Sequence, residues 1–174
     1  AKAEVHRLVR ELAESGLVGR GGAAFPTGRK WESVARAPGG PKYVVCNADE
    51  SEPGTFKDRV RMERDPCALI EAMTIAGVTV GAEHGYLYVR AEYPRATERL
   101  AHAIRVARAR GVLGADLRGR GRSFDIELRR GAGAYICGEE TALFASIEGF
   151  RGEPRTKPPF PVEAGLFGRP TVVN

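Results

Sequence analysis

Apolar positions recur at helical spacing over residues 3–14, where Val5, Leu8, Val9 and Leu12 share one stripe that Ser15-Gly16 ends. The run Tyr43-Val44-Val45-Cys46 is short, apolar and rich in β-branched and aromatic residues, as a buried strand requires. A helix is predicted over residues 66–81, with Pro66 in its first turn, and a strand over Tyr86–Arg90. Pro94 opens the next helix, which runs to about Arg110 and stops at Gly111. In the strand Phe124–Leu128, Phe124, Ile126 and Leu128 alternate with Asp125 and Glu127. A further helix is predicted from about Gly138 to Glu148, and the Pro- and Gly-rich stretch from Gly149 to Pro170 reads as irregular. Strands alternating with helices predict an α/β layer fold around a mainly parallel sheet. Such sheets bind ligands beyond the carboxyl ends of their strands.

With 174 residues the chain has room for one domain with a core. No apolar run reaches the length of a membrane span, and the charged amino-terminal segment does not read as a secretory signal. Cys46, Cys67 and Cys137 are far apart and odd in number, which fits neither a disulfide framework nor a C-x-x-C metal site. They are expected to be reduced thiols in the cytoplasm. His6, His84 and His102 form no ligand spacing. Much of the net charge of +5 lies between Arg105 and Arg130. That run has few aromatics for stacking on bases, so a solvated loop or a face for an acidic subunit is expected before a nucleic-acid site.

The chemistry concentrates in two glycine-bearing turns and the acids between them. Four of the ten residues from Gly19 to Gly28 are glycine, and Arg29, Lys30 and Trp31 follow. Glycines free backbone amides to approach an anion, although the loop matches neither the NTPase nor the dinucleotide glycine fingerprint. Asn47, Asp49, Glu50 and Glu52 follow the first predicted strand, and Gly131–Glu140 follows the last, so both fall on the rim where a ligand would sit. The acids suit ribose hydroxyls and amide donors. A hard cation or a polar turn that caps a short helix would also use them. Glu139 and Glu140 open a helix, where the dipole favours them. No nucleophile-and-base set stands out, as expected where a cofactor carries the reaction.

Taken together, Gly19–Trp31, Cys46–Asp58, Gly131–Leu143 and Lys157–Pro161 resemble the flavoprotein subunit of respiratory complex I, the NuoF type. They are equally similar to the diaphorase subunits of NAD-linked formate dehydrogenases and NAD-reducing hydrogenases. The resemblance runs through nearly the whole chain and implies a Rossmann-like sheet with FMN at its carboxyl edge and NADH stacked on it. It places the nucleotide on Gly19, Arg20, Gly21, Gly22, Ala23 and Gly28, with Lys30 near phosphate and Phe25 and Phe160 beside the adenine. It sets Glu50 and Glu52 toward the nucleotide, and Asn47, Asp49, Tyr135, Gly138 and Glu139 along the flavin. Glu140 would stand near the nicotinamide, which makes Glu50 and Glu140 the implied catalytic carboxylates, and Asn174 falls in a flavin-binding stretch.

The same resemblance implies hydride transfer from NADH to FMN and single electrons passed to iron–sulfur clusters of a larger complex. Its partners would be a thioredoxin-like 2Fe–2S subunit and other redox subunits, with no nucleic acid and no direct insertion into a membrane. Residues 1–174 would be the FMN/NADH-binding domain alone, without the family's ubiquitin-like domain or the helical domain whose cysteines hold a 4Fe–4S cluster. The chain departs from the family at Ala24, where glycine is usual, and at Ser33, where an aromatic is usual. A non-catalytic subunit of such a complex is the alternative expectation. A nucleic-acid binder working through Arg105–Arg130 is the third.

Overall fold

The computed structural model describes residues 2–174, with side chains from Val5 onward. Strands β1 (Tyr43–Ala48), β2 (His84–Val89), β3 (Asp125–Arg130) and β4 (Thr171–Val173) form one sheet in the order β3-β2-β1-β4. Every neighbouring pair is parallel, with Val44 opposite Gly85, Gly85 opposite Ile126, and Val45 opposite Val173. The chain moves outward from β1 through β2 to β3 and then returns to the far side of β1. The order therefore reverses between β1 and β4, and that reversal opens a crevice at their carboxyl ends.

Helices α1 (Lys2–Glu14), α2 (Thr27–Arg36), α3 (Lys57–Arg64), α4 (Pro66–Val80), α5 (Pro94–Ala109), α6 (Glu140–Ile147) and the single turn α7 (Pro161–Ala164) surround the sheet. The larger core joins Val44, Leu87 and Ile126 of the sheet to Met73 and Val80 of α4 and Leu100 and Ile104 of α5. On the opposite face Val45, Tyr88 and Val173 meet Leu143, Phe144 and Ile147 of α6. Burying both faces explains why Tyr43–Cys46 of the central strand β1 reads as an apolar run, whereas the edge strand β3, DIELRR, alternates. α4 begins where Asp65 accepts a hydrogen bond from the Ala68 amide beside Pro66, and it ends at Gly81, which takes a left-handed φ of 79°. Phe124, fully buried just before β3, needs Gly77 and Gly85: a Cβ at either would stand 2.3 or 2.7 Å from its ring.

Several elements escape the sequence pattern. α2 carries Gly28 in its first turn and has few apolar positions. α3, KDRVRMER, buries only Met62. β4 is three residues long, too short to show an alternation. The third strand starts at Asp125, and α6 starts at Glu140 because Tyr135–Gly138 forms a separate 3-10 turn.

Gly28 is buried where α2 crosses α1, and a Cβ there would lie 2.8 Å from the Ala13 Cα and 2.9 Å from its nitrogen. Backbone cannot yield as a flexible side chain can, so Gly28→Ala should overpack the crossing. The expected loss is about 1–3 kcal/mol, read as a lower urea midpoint with an unchanged slope.

Candidate functional site

The crevice at the strand reversal holds a cleft of about 620 Å³, well inside the range of small-molecule sites. A larger cleft of about 1050 Å³ lies at the other edge of the sheet, against residues that lead into the strands, such as Lys42, Glu83 and Ser123. The smaller cleft is the better candidate: it stands at the carboxyl ends, and polar groups from three loops converge on it.

One wall is the turn after β1. Asn47, Asp49, Glu50, Ser51 and Glu52 all line the cleft. Glu50 is 6% exposed, and its carboxylate accepts from the amides of Asp58 at 2.9 Å and Arg59 at 3.0 Å. It thereby caps α3, whose own N-cap residue, Phe56, offers no side-chain hydrogen bond. Tyr93 Oη shares its proton between the Glu50 carboxylate and carbonyl, at 3.2 and 3.4 Å. Burial raises the Asp49 carboxyl above its ordinary value, while the Ser51 hydroxyl and the Arg90 charge oppose that rise.

The opposite wall comes from the loop after β3. Tyr135, Gly138 and Glu139 face the acid turn. Tyr135 Oη donates to Glu52 at 2.6 Å, and Asn47 Nδ2 donates to the Gly138 carbonyl at 2.8 Å, so the two walls are tied together. The Glu139 carboxylate caps α6 by accepting from the Thr141 and Ala142 amides, each at 2.9 Å. Lys157 Nζ lies 3.1 Å from Glu139 and 2.6 Å from Glu140. Burial alone would raise the Glu139 carboxyl, but bonds from Thr141, the Ala142 amide and Lys157 carry it below its ordinary 4.5.

Arg20, Gly21 and Gly22 of the first glycine loop also reach this cleft. The Gly19 amide donates to the Phe25 carbonyl and the Thr27 amide to the Leu17 carbonyl, which closes the loop. The amides from Arg20 to Gly22 have no backbone acceptor among the described residues. A Cβ at Gly21 or Gly22 would meet nothing within 4 Å, so these two glycines leave the backbone open. Ala24 holds a left-handed φ of 49°, a conformation that costs a non-glycine residue about 1–2 kcal/mol.

The remaining expected residues sit at greater remove. Lys30 is half-buried, its Nζ donating to the Val173 carbonyl at 2.9 Å and lying 5.9 Å from the Phe25 ring centre. Desolvation lowers its pKa, and the Glu140 charge opposes the shift. Phe25 is 48% and Phe160 53% exposed, both with free ring surface. Asn174 extends β4: its amide donates to the Val45 carbonyl, and its carbonyl accepts from the Asn47 amide. Gly19, Ala23, Phe25, Gly28, Lys30, Glu140, Phe160 and Asn174 are not among the cleft's lining. Gly28 lies where α2 packs on α1, beside Ala13.

Sequence reasoning missed Ser51, Thr55, Lys57, Asp58 and Ile136, which complete the lining, and Arg90 and Tyr93, which hold the acid turn from behind. Their signal was position: both directly follow β2, on the same edge of the sheet. The three cysteines are free thiols, and burial, with the Asp58 charge, pushes Cys46 up to about 12. Among the described residues no helix is long and apolar enough to cross a membrane.

Residues 12–174 match the family described as the Nuo51 FMN-binding domain. The chain is 55% identical over 167 residues to an NADH-quinone oxidoreductase subunit of Rhizobium meliloti (strain 1021), covering 96% of this chain and 40% of that protein. It is 55% identical over 172 residues to the NADP-reducing hydrogenase subunit HndC of Solidesulfovibrio fructosivorans, covering 99% of this chain and 34% of that one. A crystal structure of NAD+-reducing [NiFe]-hydrogenase in the H2-reduced state superposes with a TM-score of 0.87 at 42% identity, over 99% of this chain and 29% of that chain. This chain thus spans at most about two fifths of the length of these relatives.

The two carboxyls that shift in opposite directions have opposite effects on stability. Glu139 is lowered in the folded state, so its contribution is present above its ordinary 4.5 and is lost as pH falls through the lowered value. Asp49 is raised, so its ionised form works against folding at neutral pH and protonation relieves it. Glu139→Gln should therefore lower the melting temperature at about pH 7, and the gap to the unsubstituted protein should narrow below about pH 4, as thermal denaturation in a pH series would show.

Proposed function

This chain belongs to the family of Nuo51 FMN-binding domains, and from that premise we propose that its carboxyl-edge cleft is where FMN and NADH meet to exchange a hydride. The observation that carries the proposal is the convergence of the glycine loop, the acid turn and the Gly138 turn on one cleft at the strand reversal.

The residues present suit a flavin nucleotide. A Cβ at Gly138 would stand 3.5 Å from the Asp49 carbonyl and 3.7 Å from its carboxylate, partly filling the space between the two walls. The amides from Arg20 to Gly22, which have no backbone acceptor among the described residues, and the Arg20 guanidinium offer donors to a phosphate. Asn47 and Asp49 offer polar atoms of both kinds to the edge of a planar ring. Bound there, a flavin supplies the hydride-accepting ring, so the chain needs no nucleophile of its own.

The work of the side chains is then binding and orientation. Glu52 and Tyr135 close the cleft's mouth through their mutual hydrogen bond. The exposed rings of Phe25 and Phe160 provide faces for an adenine. Lys157 holds Glu140 in place while neutralising part of its charge. Glu140 is assigned to the nicotinamide end of the dinucleotide. Glu50, committed to α3 and Tyr93, serves the site by fixing the turn that carries Asp49 and Glu52.

In the full protein this domain would act as an NADH dehydrogenase module. It would pass single electrons to a 4Fe–4S cluster in a carboxyl-terminal region and to a thioredoxin-like 2Fe–2S subunit of a multi-subunit complex. The experiment is direct. The polypeptide as the cell makes it, loaded with FMN and freed of excess, should elute yellow and bleach with NADH under argon. A folded protein that elutes colourless would end the proposal. Glu140→Gln should keep its flavin yet slow the bleaching by about tenfold or more; unchanged kinetics would remove Glu140 from the site.

A further inference from the structure

Arg90, the first residue beyond β2, sits directly behind the acid turn. Its Nη1 donates to the Glu50 carbonyl at 2.7 Å. Its Nε and Nη2 donate to the two oxygens of Glu92 at 3.2 and 3.0 Å. The guanidinium carbon lies 5.2 Å from the centre of the Tyr93 ring. Three contacts thus fix one planar group: a carboxylate fork on one edge, an aromatic face beneath, and a backbone carbonyl on the remaining nitrogen. The carbonyl it holds belongs to the peptide between Glu50 and Ser51. That peptide stands inside the stretch that presents Asp49, Ser51 and Glu52 to the cleft.

We infer that Arg90 is a positioning residue for the cofactor cleft, which by gripping the Glu50 carbonyl fixes how the Asp49–Glu52 turn faces the bound flavin nucleotide. This inference rests on the flavin reading above. Arg90 lines none of the cleft and acts through the turn. The alternatives within the turn are weak. The Ser51 amide reaches back to the Asp49 carbonyl at 3.0 Å, and the Asp49 amide to Asn47 Oδ1 at 3.3 Å. Neither contact anchors the Glu50–Ser51 peptide to the rest of the sheet. Tyr93 Oη contributes the other contact to that carbonyl, at 3.4 Å, and divides its proton with the carboxylate. A lysine at position 90 would keep the charge near Asp49 but could not satisfy the Glu92 fork and the carbonyl together, because it offers a point charge on a flexible stem.

The test compares Arg90→Lys, Arg90→Gln and Glu92→Gln with the unsubstituted protein, in the full chain. The first reading is hydrogen–deuterium exchange without flavin. In both Arg90 variants a peptide covering residues 47–56 should exchange faster while peptides from α4 and α5 keep their rates. The second is the FMN dissociation constant from flavin fluorescence. It should rise about tenfold in Arg90→Lys and at least as much in Arg90→Gln, and less in Glu92→Gln, where the carbonyl contact survives. Arg90→Lys matching the unsubstituted protein in both readings would overturn the positioning role, since charge alone would then suffice. Faster exchange spread over the whole chain with unaltered FMN affinity would also overturn it, as that marks a purely structural arginine. If the unsubstituted protein itself binds no FMN, the flavin reading fails first and this inference with it.

Discussion

A carboxylate buried at the end of the first strand sets the terms for the rest of the site. Glu50 has almost no contact with water, and an ionised group there is tolerable only when its lone pairs are taken up by donors. The chain supplies them from two directions: the first amides of α3 and the hydroxyl of Tyr93. The same residue's carbonyl takes a guanidinium proton from Arg90, so segments forty residues apart in sequence are locked at one corner of the sheet. These contacts hold Glu50 within the stretch between Ala48 and Phe56, part of which faces the cleft.

The other acids around the cleft follow the same logic of assigned partners. Asp49 accepts from Ser51, Glu52 from Tyr135, Glu139 from the first amides of α6, and Glu140 from Lys157. With Glu50 they crowd one small volume, and they can do so because each has its own donor. Burial raises the Asp49 carboxyl in spite of its bond from Ser51 and the nearby Arg90 charge. A group left under such tension is a natural place for a ligand to contribute a missing donor.

The position of this cleft is a consequence of strand order. With β4 placed beyond β1, the crossovers run on opposite faces of the sheet, α4 and α5 on one side and α6 on the other. The connecting loops separate at the reversal and leave room between them. The larger hollow lies at the other edge, against the loops that lead into the strands.

Composition and periodicity were enough to reveal the α/β alternation, the parallel character of the sheet, the helices expected at 66–81 and from 94 to about 110 and found at Pro66–Val80 and Pro94–Ala109, and the two turns rich in glycine and acid. Each is a local property: a 3.6-residue or two-residue repeat, a proline at a helix start, a glycine at its end. The resemblance of four motifs supplied the cofactor and most of the residues that line the cleft. What the sequence left open are features held by distant partners. α3 has only one buried side chain and forms because Glu50 caps it. β4 is three residues long and exists only by pairing with β1. Gly28 looks like part of a phosphate loop, yet its missing side chain makes room for Ala13. Arg90 and Tyr93 carry no motif and gain their role from standing behind a turn that comes much earlier in the chain. Local pattern reports what a segment does with its own neighbours; contacts across the sheet are settled only when strand order brings the segments together.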